Sequence, residues 1–529
     1  MSKGAEQKGS SVPEDLLRTA DPLPLISGEY SDRAEIVIGL VGALGTDVKK
    51  VQSSLIHALA AVRYRTTPVR VSELIDDMAG SRIPESETAL DRLMDVGDAL
   101  RAAVSNGAAA AVLAIAAIRK ARAEAVPETV AERQSHATII RQLKHPDEVE
   151  LLRSIYGPRF VLVGAWSPQA ERENAVWSRL EADHPGRGSG WYAEHQRRLL
   201  DRDEKDAVNP LGQQVRKTFE LADAYVSLLP GADVEPACNR LVRLLFGSPF
   251  ETPTREEQSM YLAAGARLRS SASGRQVGAV VVDKSAEILV TGTNEAPRAG
   301  GGQYWPNDPE DHRDFRYGFD VNDRHKLQLL TEIFQLLMSA GGWLSSEGPN
   351  REPQELARLA LKGPLAGSRL TDLLEFGRIA HAEMAAICTA ARRGTPLGGQ
   401  TMYTTTYPCH ECARLIIAAG ITRVVYVDPY PKSQVRELFR HEIVDGPYSG
   451  DDRVIFEPFT GVAPRMFASV FSLTGRDRDQ VTGEFADWEP TIAPPRLVAD
   501  ARATTSYTSM ELGVLKQQRD RLVSAGWRI

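Results

Sequence analysis

The sequence predicts an α/β protein in two parts: a doubly wound parallel sheet in the N-terminal half and an α/β/α sandwich in the C-terminal half. Three observations carry this. The chain has 529 residues, too many for one ordinary domain. Over 34–232, short apolar strands alternate with helical segments, as in parallel sheets with crossover helices. Over 254–473, a strand hairpin is followed by helix, strand, helix and strand, with two short polar motifs at the helix starts.

Composition sets the outer bounds. The chain is 42% hydrophobic and 25% charged, as expected of a globular protein. Its net charge is −7 and its pI about 5.9, so it lacks the global basic footprint of a nucleic-acid binder. Four cysteines point to a reducing, cytoplasmic setting. The start, MSKGAEQKGSSVPEDL, lacks the apolar core of a signal peptide. The longest apolar run, 107–118, is too short to span a bilayer, so no membrane segment is expected.

Residues 1–33 read as a flexible tail rich in Ser, Pro, Glu and Lys. A β-branched strand at 36–40 then enters a turn with Gly39, Gly42 and Gly45, followed by an amphipathic helix. That is the layout of a phosphate-binding loop, in which backbone N–H groups and a helix N-terminus face an anion. The full Walker pattern asks for Gly-Lys-Ser/Thr. Here Gly45-Thr46-Asp47 stands in that place, and Lys49 and Lys50 come late. A nucleotide with Mg2+ is the candidate ligand of this loop, through Gly39, Gly42, Gly45, Thr46 and Lys49. Packing alone is the other reading of its glycines.

Strand, turn and helix follow at 136–155, a strand at 159–165, and a helix with a last strand at 213–229. Arg141 and Lys144 stand at a strand end, where such sheets place ligands, although solvated loop charges read the same. This region, 34–232, resembles a P-loop nucleotide or nucleoside kinase with a degenerate loop. The charged, Gly-containing stretch 182–206 reads as a mobile excursion or lid. Residues 233–253, one short apolar helix bounded by prolines, read as a connector.

The region 254–473 starts with a helix capped by Thr254 and a hairpin turning at 283–287. An insert, 300–377, follows. Its first part mixes aromatics with acidic residues, Arg and His, and reads as a lid or subunit contact. His312 and His325 would be the ligands of any second metal there. The apolar helix near 327–344 is expected to pack between domains or subunits, and a homo-oligomer is expected. Residues 474–529 read as an extended C-terminal arm.

The chemistry concentrates between 381 and 430. His381-Ala-Glu383 opens a helix that Gly394 ends. Pro408-Cys409-x-x-Cys412 opens another after the strand TMYTTTY. One imidazole and two thiolates supply three ligands to a zinc ion and leave a fourth position open. Helix-start amides favour the thiolate form. Glu383 is not a ligand and is placed to carry protons. A redox pair would have no use for His-x-Glu, and a structural zinc would want a fourth ligand. The remaining cysteines, Cys238 and Cys388, supply no second C-x-x-C, and Cys388 reads as core.

The combination of H-x-E with P-C-x-x-C resembles zinc-dependent nucleobase deaminases. The hairpin preceding H-A-E is similar to that of cytidine and deoxycytidylate deaminases, which implies a cytidine-deaminase-like sandwich. The resemblance also implies substrate contacts at Asn294 of Thr291-Gly292-Thr293-Asn294, at Arg275 beside Gln276, and at Tyr430 and Lys432. A degenerate P-loop domain joined to such a deaminase looks like the bacterial anti-phage dCTP deaminases. The likeness spans about 35–470 and is weakest at the loop, where the Walker Lys is missing. It implies one Zn2+ per chain and conversion of dCTP or dCMP to deoxyuridine nucleotides. It implies, too, that phage lose their nucleotide supply and that a small RNA or antitoxin restrains the enzyme. Three other readings stand beside it: a tRNA or single-stranded DNA deaminase, a housekeeping dCMP deaminase supplying dUMP, and a non-enzymatic nucleotide sensor.

Overall fold

The computed structural model describes residues 34–79, 86–124, 135–204, 206, 209–344, 351–366, 368–373, 376–428, 433–446, 452–472, 478–479, 481–496 and 504–524. The tail 1–33 lies outside them. The chain forms two compact units, Met1–Glu257 with Thr460–Ile529, and Gln258–Phe459.

In chain order the elements begin with β1 (Ile36–Gly42), α1 (Val48–Ala61), β2 (Arg65–Arg70), α2 (Val71–Ala79), α3 (Ala89–Val104), α4 (Ala109–Glu124), β3 (His136–Arg141) and α5 (Pro146–Tyr156). They continue with β4 (Phe160–Trp166), α6 (Gln169–Asp183), α7 (Ser189–Glu204), α8 (Val215–Phe219), β5 (Ala224–Ser227) and α9 (Glu235–Leu245). Next come α10 (Arg255–Arg267), β6 (Gly278–Val282), β7 (Ile288–Thr293), α11 (Asp314–Tyr317), α12 (Val321–Ala340) and α13 (Pro353–Lys362). After these stand α14 (Ala382–Arg393), β8 (Thr401–Thr406), α15 (His410–Ala418), β9 (Arg423–Asp428), α16 (Val435–Leu438), β10 (Ile443–Asp445) and β11 (Val454–Pro458). The chain returns to the first unit with β12 (Gly461–Val462), α17 (Pro464–Phe471) and α18 (Thr504–Ser524).

The first unit holds a six-stranded sheet in the order β12-β5-β4-β1-β3-β2. Five strands are parallel, and β12 closes the edge antiparallel to β5. The sheet is therefore mixed, one antiparallel edge away from the expected parallel one. Every residue of β1 is buried, as an Ile/Val/Leu run at the centre of a parallel sheet requires. The chain runs outward from β1 on both sides, to β3 and to β4, which opens a crevice at its carboxyl end.

Three segments of this unit differ from their sequence reading. The stretch 182–206 is no loose excursion, because most of it is helical, in α6 and α7. Val176, Leu180, Tyr192 and Leu199 cluster with Leu90 and Met94 of α3, an apolar stripe that the dense surrounding charge hides in the sequence. The presumed connector 233–253 contains α9, whose Leu241, Val242, Leu244 and Leu245 join the main core with Val462, Met466 and Val470. Residues from 460 onward therefore complete the first unit, not the deaminase-like region to which the sequence assigned them as far as 473. The presumed arm contains α18, and its Glu511 is fully buried. Glu511 accepts hydrogen bonds from Arg119, Arg122 and Tyr156, while Tyr507 donates to Glu35 at 2.8 Å. A buried carboxylate needs such partners, and none is near it in sequence.

The second unit holds a mixed sheet, β10-β11-β9-β8-β6-β7. β6 is antiparallel to β7 and β8, while β8, β9, β11 and β10 are parallel. Asp283 ties the expected hairpin turn by accepting from the N–H groups of Ser285 and Glu287. Gly292 of β7 has a packing duty: a Cβ there would lie 2.0 Å from the Ala382 carbonyl oxygen and 2.6 Å from the Ala386 nitrogen. The helix α14 can rest on the sheet only because this residue has no side chain. Within the insert, α12 buries Leu330, and α13 buries Ala357 and Ala360. Among the described residues no single helix is long and apolar enough to cross a membrane.

Candidate active site

Two helix starts build the site. His381 is the N-cap of α14 and Cys409 is the N-cap of α15. Each N-cap carbonyl accepts the first helical bond, from Ala385 N at 2.8 Å and Ala413 N at 2.9 Å. Neither side chain caps its helix, which leaves imidazole and thiol to turn inward. Cys412 follows one turn into α15, on the same side as its partner. Parallel pairing of β8 with β9 and the bond from Tyr407 N to Asp428 O, 2.8 Å, fix where β8 delivers Cys409. On the other side, Glu295 and Ala380 exchange two backbone bonds of 3.2 Å and so anchor the residue just before His381.

The donors meet. His381 Nδ1 lies 3.2 Å from Cys409 Sγ and 3.4 Å from Cys412 Sγ. All three donor atoms fall within 4.8 Å of one another, the one such group of three or more metal-binding side chains among the described residues. Its make-up, one nitrogen and two sulfurs, fits Zn2+ with an open fourth position. The protonation pattern agrees. Hydrogen bonding with Cys412 and with His381 holds the Cys409 thiol down at about 4, against burial. The bond to Cys409 lifts His381 to about 9. Cys412 is pushed well up by its bond to Cys409 and by burial. Without a metal, a thiolate and an imidazolium thus pair beside a neutral thiol; a divalent cation would take the place of those protons and be held by two thiolates and a neutral imidazole.

Glu383 lies in the first turn of α14, only 4% exposed. Its Oε1 accepts from the Thr404 hydroxyl at 3.2 Å, and its Oε2 lies 3.4 Å from the Cys412 thiol. Burial first, then the Cys409 charge, raise its carboxyl above the usual range. A carboxyl so placed is suited to taking and giving a proton near neutral pH.

The structure brings His381, Glu383, Cys409 and Cys412 together. Asn294, at the end of β7, has a second job. Its side-chain carbonyl accepts from Val277 N at 2.6 Å, and its amide donates to Arg275 O at 2.7 Å. It therefore holds the segment 275–277 in place. Arg275 reaches toward Asp428, 3.9 Å away at the end of β9. Gln276 donates to Ser270 O. Tyr430 and Lys432 lie outside the described residues. His312 stands beside Glu310 and Tyr304, and His325 against Phe376, so neither joins a metal-binding group among the described residues. Cys388 is exposed and not core, whereas Cys238 is fully buried in the first unit.

Sequence reasoning missed Thr404 and the Glu295–Ala380 bridge. A signal for Thr404 existed: three consecutive threonines in a fully buried stretch, 404–406, call for polar partners inside the fold.

In the first unit the strand, Gly-turn and helix form where expected, but the lysines do not behave as expected. Lys50 donates to Ala232 O at 3.0 Å, and Lys49 is exposed. The lysine that reaches the turn is Lys144, which donates to Gly42 O at 3.3 Å and to Asp203 Oδ1 at 2.7 Å. Gly39 packs on Leu143 and Phe160. Gly45 has φ +86°, and a Cβ there would lie 2.4 Å from the Arg172 carbonyl oxygen. The packing account of these glycines thus has direct support, while a nucleotide with Mg2+ does not.

Comparison with known proteins agrees with the geometry of the second unit. Residues 253–428 match the cytidine and deoxycytidylate deaminase zinc-binding region. This part of the chain is a cytidine-deaminase-like zinc-binding domain. Over 54 residues the chain is 46% identical to the deoxycytidylate deaminase of Enterobacteria phage T2, covering 10% of this chain and 29% of that protein. Over 60 residues it is 43% identical to the human deoxycytidylate deaminase, covering 11% and 33%. It therefore spans about three tenths of the length of these curated relatives. The dCMP deaminase of cyanophage S-TIM5 aligns over 39% of this chain and 99% of its own, with 16% identity and a TM-score of 0.21.

Proposed function

We propose that this protein hydrolytically deaminates deoxycytidine nucleotides, dCTP or dCMP, to deoxyuridine nucleotides and ammonia. The buried Glu383 carboxyl beside the His381/Cys409/Cys412 donor set carries the reading, and the deoxycytidylate deaminases among its relatives support it. A zinc ion held by those three residues supplies Lewis acidity, which makes water a nucleophile near neutral pH.

The remaining chemistry belongs to side chains. Glu383 takes a proton from the attacking water as oxygen bonds to C4 of the cytosine ring, and passes that proton to N3. It then moves the second water proton to the exocyclic nitrogen. The C4–N bond breaks, ammonia leaves, and C4 retains oxygen as the uracil carbonyl. Thr404 keeps the carboxylate oriented through this relay. Asn294 sets the 275–277 segment, and Asn294 and Arg275 are the side chains proposed to meet sugar and phosphate.

In cells, this chemistry would drain the deoxycytidine nucleotide pool during phage infection. The decisive assay offers purified full-length protein radiolabelled dCTP, dCMP and a cytosine-bearing oligonucleotide side by side. Conversion of a free nucleotide to its deoxyuridine counterpart with release of ammonia supports the proposal; turnover of the oligonucleotide alone would replace it with a polynucleotide reading. Glu383→Ala should keep zinc yet lose at least about a hundredfold in turnover. Near wild-type turnover would rule out Glu383 as the proton carrier. Deoxynucleotide pools before and after infection test the cellular role.

A further inference from the structure

The turn after β1 already has an anion in it, and the chain itself supplies it. Asp203, the penultimate residue of α7, is 1% exposed. Its Oδ2 accepts from the backbone N–H of Leu44 at 2.7 Å, and its Oδ1 accepts from the Lys144 ammonium at 2.7 Å. Lys144 is also held over the turn by Gly42 O. A loop amide and a lysine ammonium closing on two oxygens of one group is the arrangement that holds a phosphate at a strand–turn–helix junction.

Two more observations point to the same seat. The Thr46 hydroxyl, in the turn and only 7% exposed, has no hydrogen-bond partner among the described residues. At the carboxyl end of the neighbouring strand β3, Arg141 feels the charges of Arg70 and Asp47 and makes no ion pair among the described residues.

We propose that Asp203 is a tethered stand-in for a phosphate, and that α7 latches a polyphosphate-binding seat shut until such an anion displaces it. Inorganic triphosphate and a nucleoside triphosphate share the chemistry the seat would recognise. The helix itself stays docked: α7 is held by Tyr192 and Leu199 in the apolar cluster, by Arg198 and Arg202 on Asp91, Asp95 and Asp98 of α3, and at its end by the pairing of Glu204 with Arg216 at 3.6 Å. Asp203 is tied among the described residues to the Leu44 amide and Lys144, so its carboxylate opens the latch by swinging to another rotamer within the last turn. The incoming anion takes over the Leu44 amide and Lys144, and gains the Thr46 hydroxyl.

Titration calorimetry on the full chain with inorganic triphosphate tests this, with ATP run beside it to separate a bare polyphosphate from a nucleotide. Asp203→Asn keeps the shape of the latch and removes its charge. It should bind triphosphate at least about tenfold more tightly than the native chain, because a seat that is open only a small fraction of the time lowers apparent affinity by that fraction. In the native chain, saturating triphosphate should slow amide hydrogen exchange at Leu44. A folded Asp203→Asn chain with no gain in affinity for either anion would overturn the proposal. Should that variant fail to fold, unchanged exchange in the native chain at millimolar triphosphate overturns it equally.

Discussion

Gly292→Ala tests the contact on which the active site depends. The added Cβ would stand 2.0 Å from the Ala382 carbonyl oxygen, 2.6 Å from the Ala386 nitrogen and 3.0 Å from the Ala386 Cβ. The first two are backbone atoms, so no rotamer change relieves them. A carbon and an oxygen need somewhat over 3 Å, so α14 must retreat from β7 by about 1 Å. Overpacking of this kind costs about 1–3 kcal/mol, and a clash with rigid backbone belongs at the upper end. The functional cost is larger. Ala382 sits between His381 and Glu383, so the retreat carries both away from Cys409 and Cys412. Displacement by about 1 Å costs on the order of a hundredfold in rate. The assay is zinc content per chain, melting temperature and turnover, with Gly265→Ala as the control. A Cβ at Gly265 meets nothing within 4 Å, and a helical glycine replaced by alanine should gain about 0.5–1 kcal/mol. If Gly292→Ala melts like the native protein with full zinc and full turnover, the close approach of α14 to β7 is not what positions the site.

Cys409→Ala should drop zinc from one ion per chain to none by atomic absorption, since two remaining donors do not hold it; full occupancy would overturn the ligand assignment. Thr404→Val should lower kcat about tenfold with little change in KM, the worth of one hydrogen bond to a charged group, and Thr404→Ser should restore it. An equal loss in Thr404→Ser would point to packing instead. In the first unit, burial works against Glu35, but the Arg122 charge and bonds from His136, Arg122 and Tyr507 hold its carboxyl at about 2, below its ordinary 4.5. A depressed carboxyl stabilises the fold fully above the unfolded value, and that contribution is lost as pH falls from about 4.5 through about 2. It amounts to about 3 kcal/mol at most, and Glu35→Gln should lose less stability than the native protein over that window in urea titrations. Parallel acid curves for the two would contradict it.

The metal-binding group was legible in the sequence because its logic is local and chemical. Imidazole and thiolate are zinc ligands wherever they occur, helix starts announce themselves through Pro408 and Gly394, and the i, i+3 spacing of Cys409 and Cys412 fixes their shared face. The strand hairpin was readable for the same reason, since Asp283 and its turn depend on neighbours a few residues away. Asn294 was singled out as a substrate contact, but local spacing could not show that its amide is engaged by the backbone of 275 and 277.

What the sequence by itself determined was therefore the α/β class, the hairpin and the helix–strand–helix–strand order around the two short motifs, and the His381, Glu383, Cys409 and Cys412 set. What only the tertiary structure decided was which distant side chains answer one another. Asp203 lies 159 residues from the amide it caps, and Glu511 lies 389 residues from Arg122. Likewise, α9, β12 and α17 join one core although the whole second unit separates them along the chain. Periodicity and ligand spacing report on a residue's own element. The partner that makes a buried charge tolerable is chosen by packing, and packing leaves no trace at a fixed offset in the chain.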